Sequence, residues 1–270
     1  MEKLRSKDGT AIAYEQEGRG PALVLVDGAL CSRAFGPMKA VSAALQSHFT
    51  VFRYDRRGRG DSGNTLPYSV EREIEDLGAV IAAAGGSAYV CGLSSGAALA
   101  LETAACGAPV RKLALYEAPF IVDDTRPPLP GDFLANLKDA IAQDRRGEAV
   151  KQFMKLVGVP GFGICMMRLM PVWRKLKAVA HTLPYDISIV AENQRGKPLP
   201  LGRWAGATAP TLVMDGGKSP AWMRNAMKAL ADTLPNAKLQ TLDGQTHMVN
   251  PKVLAPVLKS FLTTQLGLLA

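Results

Sequence analysis

Apolar positions along the chain fall into two alternating rhythms. Short, nearly continuous apolar runs occur at Ala22 to Val26, Thr50 to Tyr54, Ala88 to Cys91, Lys112 to Tyr116, Thr211 to Met214 and Ala237 to Leu242, each the length of a buried strand. Between them, apolar residues return at helical spacing. Phe35 to Leu45 places Met38, Val41 and Leu45 on one face, and Val70 to Ala84 does the same with Ile74, Leu77, Val80, Ile81 and Ala84. Ser95 to Cys106, Ala221 to Leu234 and Val253 to Leu266 continue the series. Ahead of it, Lys3 to Ser6 and Thr10 to Glu15 flank the turn pair Asp8-Gly9 and predict a hairpin, followed by the linker Gly18-Arg19-Gly20-Pro21. Strands that are apolar throughout, alternating with helices, predict an α/β fold: a mostly parallel twisted sheet with helices on both faces.

The alternation pauses once. Phe120 to Ala207 carries helical patterns and several prolines but no run suited to a central strand. The expected organisation is therefore a core built from residues 1–119 and 208–270, with a helical insertion at 120–207. The insertion holds Met154, Met166, Met167, Met170, Phe153, Phe162, Trp173 and Tyr185. Most of these are expected in its core and the remainder along an apolar, adaptable pocket.

Composition narrows the function classes. The 270 residues are 47% hydrophobic and 21% charged, which fits a globular chain and not a disordered one. No apolar run approaches the about 20 residues a membrane-spanning helix needs, and Met1 to Gly9 has no apolar block that would read as a secretory signal. Lys and Arg (32) exceed Asp and Glu (24), a net charge of +8, yet the basic residues are scattered. Their tightest groups, Arg56-Arg57-Arg59, Arg145-Arg146 and Arg174-Lys175-Lys177, do not interleave with aromatics, so nucleic acid is not an expected partner. Cys31, Cys91, Cys106 and Cys165 form no CxxC pair and no Cys/His ligand spacing; free thiols in the cytoplasm, and neither metal nor cofactor, are expected. Nothing in the chain speaks to its oligomeric state.

The candidate chemistry lies in Gly92-Leu93-Ser94-Ser95-Gly96, a G-x-S-x-G pattern between a strand and an Ala-rich helix. A serine on such a tight turn stands at a helix N-terminus, among N–H groups and the positive end of the dipole. Ser94 is the candidate nucleophile. Ser95 fits poorly, because Leu93 and Ala97 stand where its flanking glycines would be. A serine hydroxyl needs a base. Of the three histidines, His48 precedes a strand at the opposite sheet edge and His181 lies in the insertion. His247 follows the last strand, on the edge where the C-terminal ends of parallel strands gather, and is the candidate base.

With Val26-Asp27-Gly28, Tyr54 to Ser62, the Ser94 turn, Pro210 to Val213 and Gly244 to His247, nearly the whole chain resembles the α/β-hydrolase superfamily. The resemblance implies a serine hydrolase with a helical cap at 120–207, and makes the arginines of Tyr54 to Ser62 a structural turn. It implies a triad acid too, but the position where the family most often carries Asp is Ser219 here. Some branches place the acid after the preceding central strand, where this chain has Glu117, much as in the Met-Glu pair of one haloalkane dehalogenase group. Glu117 is preferred and Asp215 is the alternative. The oxyanion hole is expected from the backbone N–H groups of Ala29 and Ser95. Asp27 stands where the family usually has His; it either shapes the loop through backbone or arginine contacts or points into the pocket.

The implied activity is hydrolysis of a small, mainly apolar ester, thioester or lactone through an acyl-enzyme. Dehalogenation and epoxide opening need a carboxylate nucleophile, against which Ser94 stands. Carbon–carbon bond hydrolysis, perhydrolysis and cofactor-free oxygenation stay open on the same Ser-His site, as does a slow-turnover ligand receptor.

Overall fold

The computed structural model describes residues 1–264. The elements run β1 (Glu2–Arg5), β2 (Ala11–Gly18), β3 (Ala22–Val26), α1 (Met38–Leu45), β4 (Thr50–Tyr54), α2 (Val70–Ala83), β5 (Ala88–Leu93), α3 (Ser95–Ala105) and β6 (Val110–Tyr116). Five helices follow: α4 (Phe133–Ala142), α5 (Arg146–Leu156), α6 (Gly161–Arg168), α7 (Val172–Val179) and α8 (Leu183–Val190). The chain then returns to β7 (Thr211–Gly216), α9 (Ala221–Thr233), β8 (Ala237–Leu242) and α10 (Pro251–Thr263). The eight strands form one sheet in the order β1-β2-β4-β3-β5-β6-β7-β8. β1 pairs antiparallel with β2, and β2 antiparallel with β4; every other pairing is parallel.

Strand alternation builds a core on each face. In β3, Val24 and Val26 pack toward α2, α3 and α9, while Leu23 and Leu25 pack toward α1 and α10. β5 repeats this with Ala88 and Val90 on one side and Tyr89, Cys91 and Leu93 on the other. The helices between β6 and β7 have an apolar cluster of their own, around Leu137, Val150, Trp173, Leu176 and Leu183, which Leu30 joins from the loop after β3.

Element ends depart from the sequence pattern where local chemistry intervenes. α1 begins at Met38 and not Phe35, because Pro37 occupies its N-cap and Phe35 instead bridges back to Ser32. α10 begins at Pro251, two residues earlier than the periodicity suggests; the Asn250 side chain accepts from the Lys252 N–H at 2.9 Å, and proline suits the first helical position. The pattern's last two positions, Gln265 and Leu266, lie outside the described residues.

The insertion's methionines and aromatics divide differently from expectation. Met154, Trp173 and Tyr185 are buried and Phe153 lines the cavity that holds Ser94, but Phe162, Met166 and Met170 are exposed and do not line that cavity. Helix α6 is eight residues long and fully buries only Ile164; Met167 packs partly against the cluster, and Phe162 and Met166 remain outside.

Candidate active site

The G-x-S-x-G segment forms the sharp connection its pattern predicts. β5 runs to Leu93, α3 starts at Ser95, and Ser94 between them has φ 55° and ψ −127°. That left-handed conformation is costly for a residue with a Cβ and is held by its surroundings. The Ser94 N–H donates to the Tyr116 carbonyl at 2.9 Å. Gly96 carries the β3 end past the helix: a Cβ there would collide with the Val26 carbonyl oxygen. Gly28 does the same for the loop after β3, since its Cβ would stand 3.0 Å from that of Ser94. Close backbone passage therefore brings the Ala29 segment beside the serine.

The Ser94 hydroxyl has no hydrogen-bond partner among the described residues. Ser94, Ala29, Ser95 and His247 all line one cavity of about 450 Å³. Among the described residues no backbone acceptor takes the N–H groups of Ala29 and Ser95.

His247 enters from the loop between β8 and α10. Tyr116 fastens that loop by donating its hydroxyl to the Thr246 carbonyl at 2.6 Å. The Lys218 N–H donates to the Gln245 carbonyl at 2.8 Å, and the Asn250 N–H to the Gln245 side chain at 2.9 Å. His247 Nδ1 lies 2.8 Å from Glu117 Oε2. The other Glu117 oxygen accepts from the Gly216 N–H at 2.7 Å, and the residue is fully buried. Glu117 itself has φ 47°, another left-handed position at the end of a strand. Asp215 is not brought to His247. Its Oδ1 has no partner and its Oδ2 stands 4.0 Å from Arg224 Nε, with burial raising its pKa above the ordinary carboxylate value.

The arginines of the Tyr54 to Ser62 turn are inside the molecule. Arg56 makes a bidentate pair with Glu73 (2.6 and 2.8 Å), and Arg57 does so with Asp76 (both 2.7 Å). Arg59 holds Asp186 through two contacts of 2.8 and 2.7 Å and donates to the Gly28 carbonyl at 2.7 Å. Asp186, from α8, also takes Arg56 Nη1 at 2.8 Å and the Ser95 hydroxyl at 2.7 Å. Burial pushes its carboxyl up, and Arg59 and Arg56 more than offset this, leaving its pKa lowered. Sequence reasoning missed Asp186, although a signal existed: it is the one charge within the apolar stretch Leu183 to Val190.

Asp27 is buried, does not line the cavity, and packs beside Gly36 with its Oδ1 unpartnered. Burial raises its carboxyl from 3.8 to about 7, against the pull of Arg59, Arg53 and Arg56. A raised folded-state value means stability is full below the unfolded pKa and is lost as pH rises toward the folded one. Asp27→Asn should remove that loss. Its melting temperature relative to wild type is expected to climb between about pH 4 and pH 7 and then level off. A difference that stays flat across this window in thermal melts would contradict the assignment.

The family model described as "Alpha/beta hydrolase family" matches residues 23–257. The chain belongs to the alpha/beta hydrolase family. A crystal structure of an alpha/beta hydrolase from Sphaerobacter thermophilus is 52% identical, covering 97% of this chain and 100% of that one with a TM-score of 0.89. An enol-lactonase from Burkholderia xenovorans is 23% identical over 97% of this chain and 100% of its own, with a TM-score of 0.69. An esterase from Exiguobacterium antarcticum is 19% identical over 97% and 99%, with a TM-score of 0.72. The last two share the fold. As a member of this family the chain is a hydrolase, and no helix among its described residues is long and apolar enough to cross a membrane.

Proposed function

We propose that this α/β hydrolase cleaves a small, mainly apolar carboxylic ester, thioester or lactone, with Ser94 as nucleophile, His247 as general base and acid, and Glu117 as the acid of the triad. The observation that carries the reading is the contact of 2.8 Å between Glu117 Oε2 and His247 Nδ1, with His247 lining the same cavity as the strained Ser94. A carboxylate on Nδ1 fixes the imidazole tautomer, leaves Nε2 free as the base, and stabilises the imidazolium that forms.

Ser94 Oγ bonds to the acyl carbon while its proton passes to His247 Nε2. The carbonyl oxygen takes the electron pair and sits between the Ala29 and Ser95 N–H groups. As the bond to the leaving group breaks, His247 returns the proton to the departing oxygen or sulfur. Water then adds to the acyl-enzyme, giving its proton to His247, and Ser94 leaves with that proton as the carboxylic acid is released. The helices of residues 120–207 serve as a cap: Phe153, Leu156, Val157, Ile187 and Val190 line the cavity that Ser94 opens into and exclude water from an apolar acyl chain.

A fluorophosphonate probe tests this reading. It is expected to modify the folded protein once, with the adduct located on the peptide containing Ser94 by mass spectrometry. Failure to label a protein that melts cooperatively would mean that Ser94 is not activated, and would move the assignment to a ligand receptor.

A further inference from the structure

Among the side chains that line the cavity, Arg126 is the only arginine or lysine, and it has no carboxylate within 4.0 Å among the described residues. It lies in the segment between β6 and α4, half-buried, with its guanidinium carbon 4.1 Å from the centre of the Trp222 ring. Nη2 donates to the Leu156 carbonyl. Nε and Nη1 have no partner among the described residues. Burial draws its pKa down, and no neighbouring acid raises it. The other charged wall residue, Asp186, is already neutralised by Arg56 and Arg59. The cavity that holds Ser94 and His247 therefore carries one arginine charge without a carboxylate partner on mainly apolar walls.

An arginine stacked on an indole spends a face of its guanidinium and keeps its in-plane donors. Those donors match a carboxylate edge, two parallel N–H···O contacts at fixed spacing. One cation also sets the charge of the guest. A carboxylate monoanion balances Arg126, whereas a phosphate dianion would leave a net negative charge among Phe153, Val157 and Met223, at a high desolvation cost.

We propose that Arg126 is the anchor for a carboxylate on the substrate, so that the natural substrate is the ester, thioester or lactone of an acid bearing a second, free carboxylate. This rests on the Ser94 reading for the bond that is cleaved, but not for the anion that is bound.

Two measurements separate those claims. The first compares kcat/KM for mono-p-nitrophenyl glutarate and p-nitrophenyl valerate, which share the acyl length and differ in the terminal carboxylate. The wild type is expected to favour the glutarate ester. The glutarate-to-valerate ratio should fall roughly 10- to 100-fold in Arg126→Met, chiefly through KM, and less in Arg126→Lys, which keeps the charge but not the planar fork. A wild type that favours valerate, or a ratio within about threefold of wild type in Arg126→Met, would overturn the proposal. Should that variant not fold, Arg126→Gln takes its place, and the wild-type ratio alone already decides the sign of the preference. The second measurement is calorimetric binding of glutarate to Ser94→Ala, with and without Arg126→Met. Binding that depends on Arg126, with a wild type that turns over neither ester, would sustain the anion subsite and sink the nucleophile. Ester turnover without Arg126-dependent preference or binding would do the reverse.

Discussion

Ser94→Ala should lower kcat/KM for a short p-nitrophenyl ester by about 10⁴-fold or more, and Glu117→Gln by about 10³- to 10⁴-fold. The two losses have different origins. Without Oγ no acyl-enzyme can form, and any residual rate reflects the oxyanion donors and binding alone. With Gln at 117 the nucleophile and donors remain, but the carboxylate 2.8 Å from His247 Nδ1 is replaced by a neutral amide that neither selects the tautomer nor stabilises the imidazolium. The Gly216 N–H, which donates to the other Glu117 oxygen at 2.7 Å, can still donate to an amide oxygen, so the fold should tolerate the change. Because the groups act as a unit, the double variant should be hardly worse than Ser94→Ala alone. Asp215→Asn is the control: its carboxylate is 4.0 Å from Arg224 and not bonded to His247, so its effect on kcat should be slight. Steady-state kinetics of the four variants decides the matter. A large loss in Asp215→Asn with little in Glu117→Gln would reverse the assignment of the acid.

Asp186→Leu is expected to lower the stability of the fold by about 3–5 kcal/mol, which for a chain of this size is a fall of roughly 10 °C in melting temperature. Asp186 is almost wholly buried and closes a circuit between α8, the Arg56 and Arg59 guanidinium groups and the Ser95 hydroxyl. Arg56 would keep Glu73, but Arg59 would lose its one carboxylate and remain charged in the interior with only carbonyl and hydroxyl partners. An unpaired buried charge costs far more than the pair contributes over apolar replacements. Adding Arg59→Met to Asp186→Leu should therefore recover part of the stability. Thermal unfolding of the two single variants and the double one reads this coupling directly; simple additivity would show that the circuit does not act as one. Activity should fall too, because Arg59 holds the Gly28 carbonyl beside the Ala29 N–H and Asp186 holds the Ser95 side chain.

Much of this protein is written in short-range chemistry. Short continuous apolar runs mark the buried strands and the period-3.6 rhythm marks the helices, since a strand covered on both faces is apolar throughout and a helix only along one stripe. Gly92-Leu93-Ser94-Ser95-Gly96 likewise determines its own sharp turn: glycines are needed where backbone passes close, and Gly96 meets the Val26 carbonyl as expected. The common edge also followed, because loops leaving the C-terminal ends of parallel strands gather on one side of the sheet, where residues 94, 117 and 247 lie; the strand order β1-β2-β4-β3-β5-β6-β7-β8 did not. What local pattern could not decide is any choice between groups that arrive at that edge together. Glu117 and Asp215 both end central strands, and only the packed loop around Tyr116 and Gln245 sets which of them His247 meets. Pairing among buried charges is decided the same way: Arg59 and Asp186 are 127 positions apart, and nothing nearby in sequence links them. The lining of the cavity is the furthest case. Arg126 lies in an irregular segment whose place over Trp222 depends on how the insertion settles against α9, and Phe162, Met166 and Met170, apolar by type, lie outside the core. Periodicity reports which face of an element is apolar; what that face meets depends on contacts between residues far apart in the chain, and only the assembled tertiary structure supplies those.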